Sequence, residues 1–311
     1  LVDREPDRYS MNQIRTMQRR VRDWRATNGP AKEVYFPQEH RPGHEAALDF
    51  TCCNALGVTI RSVPFKHLLF ELVMVYSGWT WACVALSETF EALVDGLQRA
   101  LWALGGVPEQ LLLDNMSAAT HELKRGGGRG LTRRFDDARN HLGIDRVRRI
   151  NAGKSNENGS VESRHNRTKK MLAQALQLRG SSDFDSVESY EAFVGETLDR
   201  RHNRHCAAKL DEERPYLRAL PSTRLPSYTA SHPKVRKWST VRVAGRLYSV
   251  HSRLIGHQVE ARLHPNVVEV RYRGELVETM PGSTTDTSST RWCASPERSR
   301  ITASARICFR R

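Results

Sequence analysis

The stretch AALDFTCC, residues 46–53, is the first of three apolar runs that decide the fold. Similar runs follow at 68–75 (LLFELVMV) and 79–86 (WTWACVAL), and residues typical of turns, such as Gly57 and Ser77-Gly78, separate them. Short runs rich in β-branched and aromatic residues, bounded by turn residues, are typical of an antiparallel meander. The sequence therefore predicts three consecutive strands that start at about residue 46.

Helices and strands alternate after the meander. The predicted elements are, in chain order, a helix at 88–104 closed by Gly105-Gly106, a buried strand at 110–113, a helix at 131–141, a strand at 146–150, a loop rich in Gly, Asn and Ser at 151–160, and helices at about 161–178 and 186–204. This order is typical of an α/β protein with a ribonuclease-H-like mixed sheet flanked by helices.

The two ends of the chain have different patterns. Between Ser10 and Trp24, apolar residues recur at helical spacing, with arginines between them: Arg15, Arg19, Arg20 and Arg22. A solvated amphipathic helix and a DNA recognition helix explain this pattern equally well. Short alternating runs between 241 and 279 predict a small β-barrel, which either binds DNA or braces the rest of the chain.

We therefore expect six segments. They are an N-terminal segment with the basic helix (1–29), a linker (30–45), a ribonuclease-H-like core (46–205), a second linker (206–235), the small β-barrel (236–282) and an atypical tail (283–311). The tail is rich in Ser, Thr and Arg without periodicity, which predicts disorder. Because the composition changes abruptly after Gly282, we hypothesise that the tail is out-of-frame translation.

The charge balance points to a polyanionic partner. The 311 residues include 49 Lys and Arg against 35 Asp and Glu, which gives a formal net charge of +14. Such an excess favours nucleic acid through neutralisation of phosphates. The sequence has no apolar run of membrane-spanning length and no signal-peptide pattern, so we expect no membrane partner and a cytoplasmic location. No C-x-x-C pair occurs, so reduced thiols are expected rather than structural zinc.

Three acidic residues stand where this topology would bring them together. Asp49 lies inside the first predicted strand among apolar neighbours, where a carboxylate is costly unless it is paired or binds a metal. Asp114 follows three leucines at the carboxyl end of the fourth strand, and Glu162 begins a predicted helix. In a ribonuclease-H-like sheet the first and fourth strands are neighbours and the later helix crosses near their ends. We therefore expect the three carboxylates to converge.

Such a site would suit magnesium or manganese. Hard carboxylate oxygens match these ions, which keep open positions for phosphate and water. Two ions about 3.5 to 4 Å apart can activate an attacking oxygen and stabilise a leaving oxygen during in-line displacement. Each acidic residue alone also has an ordinary explanation: a hydrogen-bonded strand residue for Asp49, a turn residue for Asp114 and a first-turn glutamate for Glu162. Their order and topology together favour the metal site.

The predicted helix after Glu162 adds a basic surface. Its positions 162, 165, 166 and 169 share one face, so Asn166 and Lys169 lie on the same side as Glu162, with Lys170 nearby. This face could hold a DNA backbone next to the metal site. A solvated basic helix is the simpler alternative.

Several motifs resemble one known family, the IstA-type transposases of bacterial insertion sequences. The similar pieces are RTMQRRVRDWR (15–25), Phe36-Pro37-Gln38, Pro42-Gly43 running to Asp49-Phe50, Leu113-Asp114-Asn115 with Ser117-Ala118-Ala119, and Glu157-Asn158-Gly159 with Val161-Glu162. The resemblance covers about residues 10 to 282. Its most specific features are the spacing of the acidic motifs, 64 and then 47 intervening residues, and the first and third of these segments.

The resemblance implies a DDE-type transposase, a polynucleotidyl transferase with an integrase-like core of the retroviral integrase superfamily. Asp49, Asp114 and Glu162 would be the catalytic, metal-binding triad. Such an enzyme would cleave the inverted repeats of its element and join them to target DNA, as a homo-oligomer on DNA and with an IstB-type ATPase helper. Residues 11–26 would be the last helix of a helix-turn-helix whose earlier part precedes residue 1. Segment 1–29 would then be a partial helix-turn-helix DNA-binding segment, and segment 46–205 would be the ribonuclease-H-like integrase catalytic core.

Two other functions remain open at the level of the sequence. A truncated, catalytically inactive transposase could act as a DNA-binding repressor or competitor, which predicts salt-sensitive binding without cleavage. A ribonuclease-H-like nuclease acting on RNA–DNA hybrids is the third reading, which the basic N-terminal helix and the C-terminal barrel disfavour.

Overall fold

The computed structural model describes residues 13–30, 39–113, 119–122, 129–149 and 155–282, with only the backbone at 120–122, 129–130, 149 and 155–166. The helices are α1 (Ile14–Asn28), α2 (Phe90–Leu104), α3 (Arg133–His141), α4 (Ser155–Arg179), α5 (Val187–Leu198) and α6 (Arg204–Glu213). The strands are β1 (Glu45–Cys52), β2 (Thr59–Ile60), β3 (Val63–Pro64), β4 (Leu68–Met74), β5 (Thr80–Ala85), β6 (Gln110–Leu113), β7 (Thr120–Glu122), β8 (Arg129–Leu131), β9 (Arg146–Arg149), β10 (Asp183–Phe184), β11 (Thr229–Ser231), β12 (Thr240–Val243), β13 (Arg246–Ser249), β14 (Glu260–Leu263), β15 (Val267–Tyr272) and β16 (Glu275–Pro281).

A five-stranded mixed sheet forms the centre of the chain, in the order β5-β4-β1-β6-β9. The meander β1, β4 and β5 is antiparallel, whereas β6 and β9 run parallel to β1. The prediction that the first and fourth long strands are neighbours is confirmed, since β1 pairs with β6. Successive residues of β1 alternate between the two faces, and nearly all are buried because both faces are covered.

One face of the sheet packs against α2 and α3. Leu48 and Phe70 lie in this core with Leu97 of α2 and Phe135 of α3. Helix α2 begins at Phe90, two residues after the predicted start, because the Thr89 side chain accepts a hydrogen bond from the backbone N–H of Ala92. It ends at Gly105, whose φ of 84° is the left-handed conformation that glycine adopts most easily.

The opposite face packs against α4 and α5. Leu69 of β4 and Val84 of β5 contact the same buried cluster as Leu172 and Leu176 of α4 and Val194 of α5. Each of these side chains is at most 4 % exposed, so α4 is firmly seated on the sheet by its second half. This placement fixes which side of β1 the helix covers.

Side chains from α5 and from the helical turn that follows it hydrogen-bond to the free edge of β5. The Glu191 carboxylate accepts a hydrogen bond from the Val84 backbone N–H (2.8 Å). Asn203 accepts from the Thr80 N–H (2.9 Å) and donates to the Thr80 carbonyl (2.9 Å). These bonds use the backbone groups that an exposed edge strand would offer to another chain.

Residues 229–282 form what we call the C-terminal β-module. A four-stranded sheet, β11-β14-β15-β16, and the hairpin β12-β13 surround one core that includes Val241, Tyr248 and Val270. The sequence predicts a small barrel here, and the observed arrangement is this sheet and hairpin around a shared core. The module contacts the central domain where Thr229 hydrogen-bonds to Glu91 and Arg134, which also pair with each other (3.1 Å).

The segment before residue 40 is a separate compact unit. Its helix α1 runs from Ile14 to Asn28. Ser10, at which the helical pattern of the sequence starts, lies outside the described residues. Gln13, which precedes the helix, makes no side-chain cap, and the helix ends at Gly29, whose N–H donates to the Arg25 carbonyl (3.0 Å). The apolar residues of α1 are all exposed: Ile14, Met17, Val21 and Trp24.

Three predicted boundaries are wrong. Helix α4 begins at Ser155, so part of the predicted loop 151–160 is helical. The helix includes Gly159, which lowers helix stability by about 1 kcal/mol relative to alanine. The predicted helix 186–204 is interrupted by a π-helical turn at Asp199–Asn203. The predicted linker 206–235 instead contains most of α6 and the module strand β11, which pairs with β14.

Within the described ranges, no helix has the length and apolarity that a membrane span requires.

Candidate active site

Asp49 lies on the central strand of the sheet and is the one member of the predicted triad whose side chain is described. Its neighbours Leu48 and Phe50 point into the α2 core, so Asp49 points to the opposite face. It is partly exposed, whereas every other residue of β1 except Cys52 is buried. A carboxylate on a rigid central strand, with an opening to solvent, is suited to bind a ligand.

Asp114 lies outside the described residues, but the strand that leads to it is well defined. β6 ends at Leu113, which is in parallel register with Leu48. Asp49 and Asp114 are therefore the next residues after a register pair on adjacent parallel strands. This is the carboxyl edge at which α/β sheets usually bind ligands.

Glu162 lies within α4, whose backbone is described there but whose side chains are described only from Arg167 onward. Leu172 and Leu176 seat this helix on the face of the sheet to which Asp49 belongs. Position 162 is about 15 Å along the helix from position 172. The second half of α4 therefore lies on the same face of the sheet as Asp49, while the convergence of the triad stays a prediction.

Glu71 is a further carboxylate near Asp49, which was not predicted as a site residue from the sequence. It lies directly opposite Asp49 in the antiparallel register of β1 and β4, and it is only 1 % exposed. Directly opposed residues project from the same face with their Cβ atoms about 5 Å apart. The two acidic side chains therefore share one region, which favours binding of a cation between them. Which residue lies opposite Asp49 depends on the register of β1 and β4. This register cannot be recognised from the sequence alone.

Lys169 supplies positive charge near this carboxylate pair. Burial raises the pKa of the Cys53 thiol to about 12, while the charge of Lys169 lowers it and the charge of Glu71 raises it again. Cys53, next to the end of β1, therefore lies within electrostatic reach of both charged groups. Because its thiol stays protonated, Cys53 is a packing residue and not a nucleophile.

The donor set around Asp49 fits a hard divalent cation. Asp49 and Glu71 contribute carboxylate oxygens, which magnesium and manganese prefer, and no sulfur or imidazole ligand is needed. Among the residues that the structure describes, no group of three His, Cys, Asp or Glu side chains is arranged to hold a metal. A complete site on this chain would therefore need Asp114, Glu162 or both.

The predicted DNA-binding residues fall into two groups. The four arginines of α1 are exposed, and Arg22 pairs with its neighbour Asp23 (3.0 Å): Arg15, Arg19, Arg20 and Arg22. On α4, Lys170 is exposed and Lys169 is partly buried, while the side chain of Asn166 is not among those described. Exposed cations on α1 and α4 are available to phosphates.

The edge strand β9 carries further cations, which were not predicted as DNA-binding residues from the sequence. Arg146 and Arg148 are exposed on it, and Arg148 lies 3.4 Å from the carboxylate of Glu45. Because β9 is parallel to β6, it also ends at the carboxyl edge of the sheet. The signal was present in the letters RVRR at 146–149, but a basic edge cannot be recognised before the strand order is known.

Two family models match parts of the chain. Residues 220–288 match the Mu transposase, C-terminal domain, which overlaps the C-terminal β-module. Residues 1–36 match the Y4rL C-terminal three-helix bundle domain, which overlaps α1.

Similar sequences cover most of this chain. A protein of Sinorhizobium fredii, described as the uncharacterized protein y4jA/y4nE/y4sE, is 39 % identical over 268 residues, which are 86 % of this chain and 53 % of that protein. The transposase for insertion sequence element IS232 of Bacillus thuringiensis subsp. berliner is 22 % identical over 247 residues, which are 77 % of this chain and 56 % of the transposase. The chain is therefore similar to insertion-sequence transposases, and it spans about half the length of these relatives.

Among solved structures, the chain is similar to one in the cryo-EM structure of the simian T-cell lymphotropic virus intasome in complex with PP2A regulatory subunit B56 gamma. The similarity covers 82 % of each chain, with a TM-score of 0.46 and 16 % sequence identity.

Proposed function

We propose that this chain is the catalytic part of an IstA-type, DDE-type transposase that cleaves the ends of an insertion sequence and joins them to target DNA. The observation that carries the proposal is the register of the central sheet. Leu48 and Leu113 are paired on adjacent parallel strands, and each is followed at once by an aspartate. Similarity to insertion-sequence transposases supports the same reading.

Asp49, Asp114 and Glu162 would hold one or two magnesium or manganese ions. Such ions, when bound, supply activation of the attacking oxygen and stabilisation of the leaving oxygen during phosphoryl transfer. Asp49 would fix its part of the site, because a central strand paired on both sides cannot shift easily. Glu71, opposite Asp49, would position it and add negative charge that favours cation binding.

DNA would approach along the basic surfaces next to this site. Lys169 and Lys170 on α4, with Asn166, would contact the backbone near the reacting phosphate. The arginines of α1 would contact DNA from the separate N-terminal unit, in a helix-turn-helix whose last helix is α1. We further propose inverted repeats and target DNA as the substrates, a homo-oligomer on DNA as the active form, and an IstB-type ATPase as helper. The sequence resemblance is the support for this helper.

The test is a strand-transfer assay with Mg²⁺ or Mn²⁺ and oligonucleotides carrying the inverted repeats that flank the gene. Asp49→Asn, Asp114→Asn and Glu162→Gln should each lower product formation by roughly 100-fold or more, since each removes a ligand of the metal site. The matched control is Asp211→Asn, a change of the same kind at an exposed carboxylate of α6. It should stay within about twofold of the wild type.

Two outcomes would contradict the proposal. Equal product from the wild type and Asp114→Asn would remove that residue from the site. DNA binding without any product, under either metal and with the ATPase helper present, would favour the alternative of a catalytically inactive transposase that acts as a repressor or competitor. Binding of Mn²⁺ to the wild type and to Asp49→Asn, measured without DNA, separates loss of metal from loss of DNA affinity.

A further inference from the structure

The positive charge of this protein is concentrated in one segment. Residues 214–259 contain no Asp or Glu at all and include nine Lys and Arg: Arg214, Arg218, Arg224, Lys234, Arg236, Lys237, Arg242, Arg246 and Arg253. Against a net charge of +14 for the whole chain, this segment alone carries +9. Four of the nine cations surround one groove in the C-terminal β-module.

The groove combines these cations with an exposed apolar surface. Its volume is about 790 Å³. The side chains that matter here are Lys234, Arg236, Lys237, Arg242, Trp238 and Ile255. Trp238 is 62 % exposed and Ile255 is 42 % exposed. A tryptophan exposed to this degree keeps a face of its indole ring accessible to another flat group.

Trp238 is presented on a rigid turn. The Arg236 N–H donates to the Thr240 carbonyl (2.8 Å), and the Ser239 N–H donates to the Arg236 carbonyl (2.9 Å). Ser239 adopts a φ of 58°, and its hydroxyl donates to the Val250 carbonyl (2.6 Å). A left-handed conformation is unusual for serine and is maintained here by these bonds. The turn therefore fixes the backbone that carries the indole before any ligand arrives, which lowers the entropy cost of binding.

One of these cations lies over the ring, and a second is on the next strand. The ammonium group of Lys237 lies 5.3 Å from the centroid of the Trp238 ring. Arg242 is exposed on β12, the strand that begins two residues after Trp238. A flat group stacked on the indole would thus have positive charge beside it for an attached phosphate.

We propose that this groove binds single-stranded DNA, with an unpaired base stacked on Trp238 and its flanking phosphates contacted by Lys234, Arg236, Lys237 and Arg242. Sites for single strands combine a basic groove with an aromatic platform. A site for the backbone of a duplex needs the cations alone, because paired bases are stacked inside the helix and cannot reach the indole. The exposed indole and the neighbouring isoleucine therefore favour a single strand over a duplex. The site is independent of the metal-dependent reaction proposed above.

The experiment is a binding titration of the full chain by fluorescence anisotropy, with EDTA present to prevent cleavage. The probes are a labelled oligo(dT) of about 12 nucleotides, a length within the usual range for such sites, and a blunt duplex of equal length. Trp238→Ala should raise the Kd for oligo(dT) by on the order of tenfold and change the Kd for the duplex much less. Trp238→Phe, which keeps an aromatic face, should recover most of the loss.

The matched control is Arg246→Ala, which removes an exposed cation of β13 that does not line the groove. It should change the Kd for oligo(dT) by about twofold or less. Unchanged oligo(dT) binding by Trp238→Ala would overturn the proposal. An equal loss of oligo(dT) and duplex binding would do the same, because it would indicate a backbone site. Oligo(dT) binding is measured with EDTA and strand transfer with Mg²⁺ or Mn²⁺, so failure of the catalytic proposal would be visible separately.

Discussion

Replacing Glu191 with alanine tests how the free edge of the central sheet is stabilised. One oxygen of this carboxylate accepts the Val84 backbone N–H (2.8 Å) and lies 3.3 Å from the Arg99 guanidinium, while the other accepts from Arg99 at 2.7 Å. The side chains of Glu191 and Arg99 are 21 % and 36 % exposed, so the ion pair is only partly screened by water. Arg99 also lies over the Trp81 ring of β5, at 5.3 Å from its centroid.

The expected loss of stability follows from these contacts. Val84 is 4 % exposed, so its N–H would lose an acceptor in a place that water reaches poorly, at a cost of about 1 to 3 kcal/mol. Loss of the partly exposed ion pair adds about 1 kcal/mol. We therefore expect Glu191→Ala to lower the free energy of unfolding by about 2 to 4 kcal/mol. Glu191→Gln keeps an acceptor for Val84 and should cost about 1 kcal/mol.

Urea unfolding followed by tryptophan fluorescence measures the global effect, and hydrogen exchange of the peptide containing β5 measures the local one. The matched control is Glu196→Ala, which breaks an ion pair of similar length (2.6 Å) with Arg200 on the same helical region. Because those side chains are 55 % and 76 % exposed, the change should cost about 0.5 kcal/mol or less. Equal costs for the alanine variants of Glu191 and Glu196, or unchanged exchange in β5, would refute the argument.

Two more predictions concern the cores on either side of the sheet. Burial lowers the pKa of His67, which is hydrogen-bonded to Tyr190 (3.0 Å), below its ordinary 6.5. The contribution of His67 to stability is therefore complete above pH 6.5 and declines as the pH falls further, because the unfolded state takes up the proton first. The urea midpoint of His67→Gln should therefore depend less on pH below 6.5 than that of the wild type. Equal pH dependence of the two midpoints would contradict this. Gly96→Ala should lower the free energy of unfolding by about 1 to 2 kcal/mol, because a Cβ at this position would lie 2.6 Å from the Phe70 ring. The gain in helix propensity, about 1 kcal/mol, offsets only part of this cost. An unchanged urea midpoint would contradict the prediction and would show that the ring can move.

The sequence predicts the central sheet well because its strands carry strong local signals. The runs that begin at residues 46, 68 and 79 are apolar on both faces and are bounded by turn residues, so length and composition locate them within one or two residues. The single charged residue in the first run, Asp49, stood out for the same reason. Local pattern and final environment agree for these strands.

Features that depend on pairing between distant segments could not be predicted. Glu71 reads as one polar residue in an apolar run, and only the antiparallel register of β1 and β4 puts it opposite Asp49. The strand β11 is three residues long, and it is stabilised by pairing with β14 about thirty residues later rather than by its own sequence. The π-helical turn at 199–203 has the same origin, because His202 and Asn203 bond to the turn before β5 and to its first residue. These contacts select a geometry that helix propensity alone does not favour.

The division of charge between the two parts of the chain has a physical consequence for the proposed reaction. Asp49 and Glu71 give the candidate site a negative character that repels phosphates, and bound cations would offset this only locally. Attraction of DNA must then come from other surfaces, and the segment 214–259, with nine cations and no acid, is the strongest of them. The bonds between Thr229, Glu91 and Arg134 tie the start of the C-terminal β-module to α2 and α3 of the central domain. Loosening this attachment without a change of charge, for example with Thr229→Val, should therefore weaken the proposed reaction more than DNA affinity, because each module would keep its own charge but lose its position relative to the other.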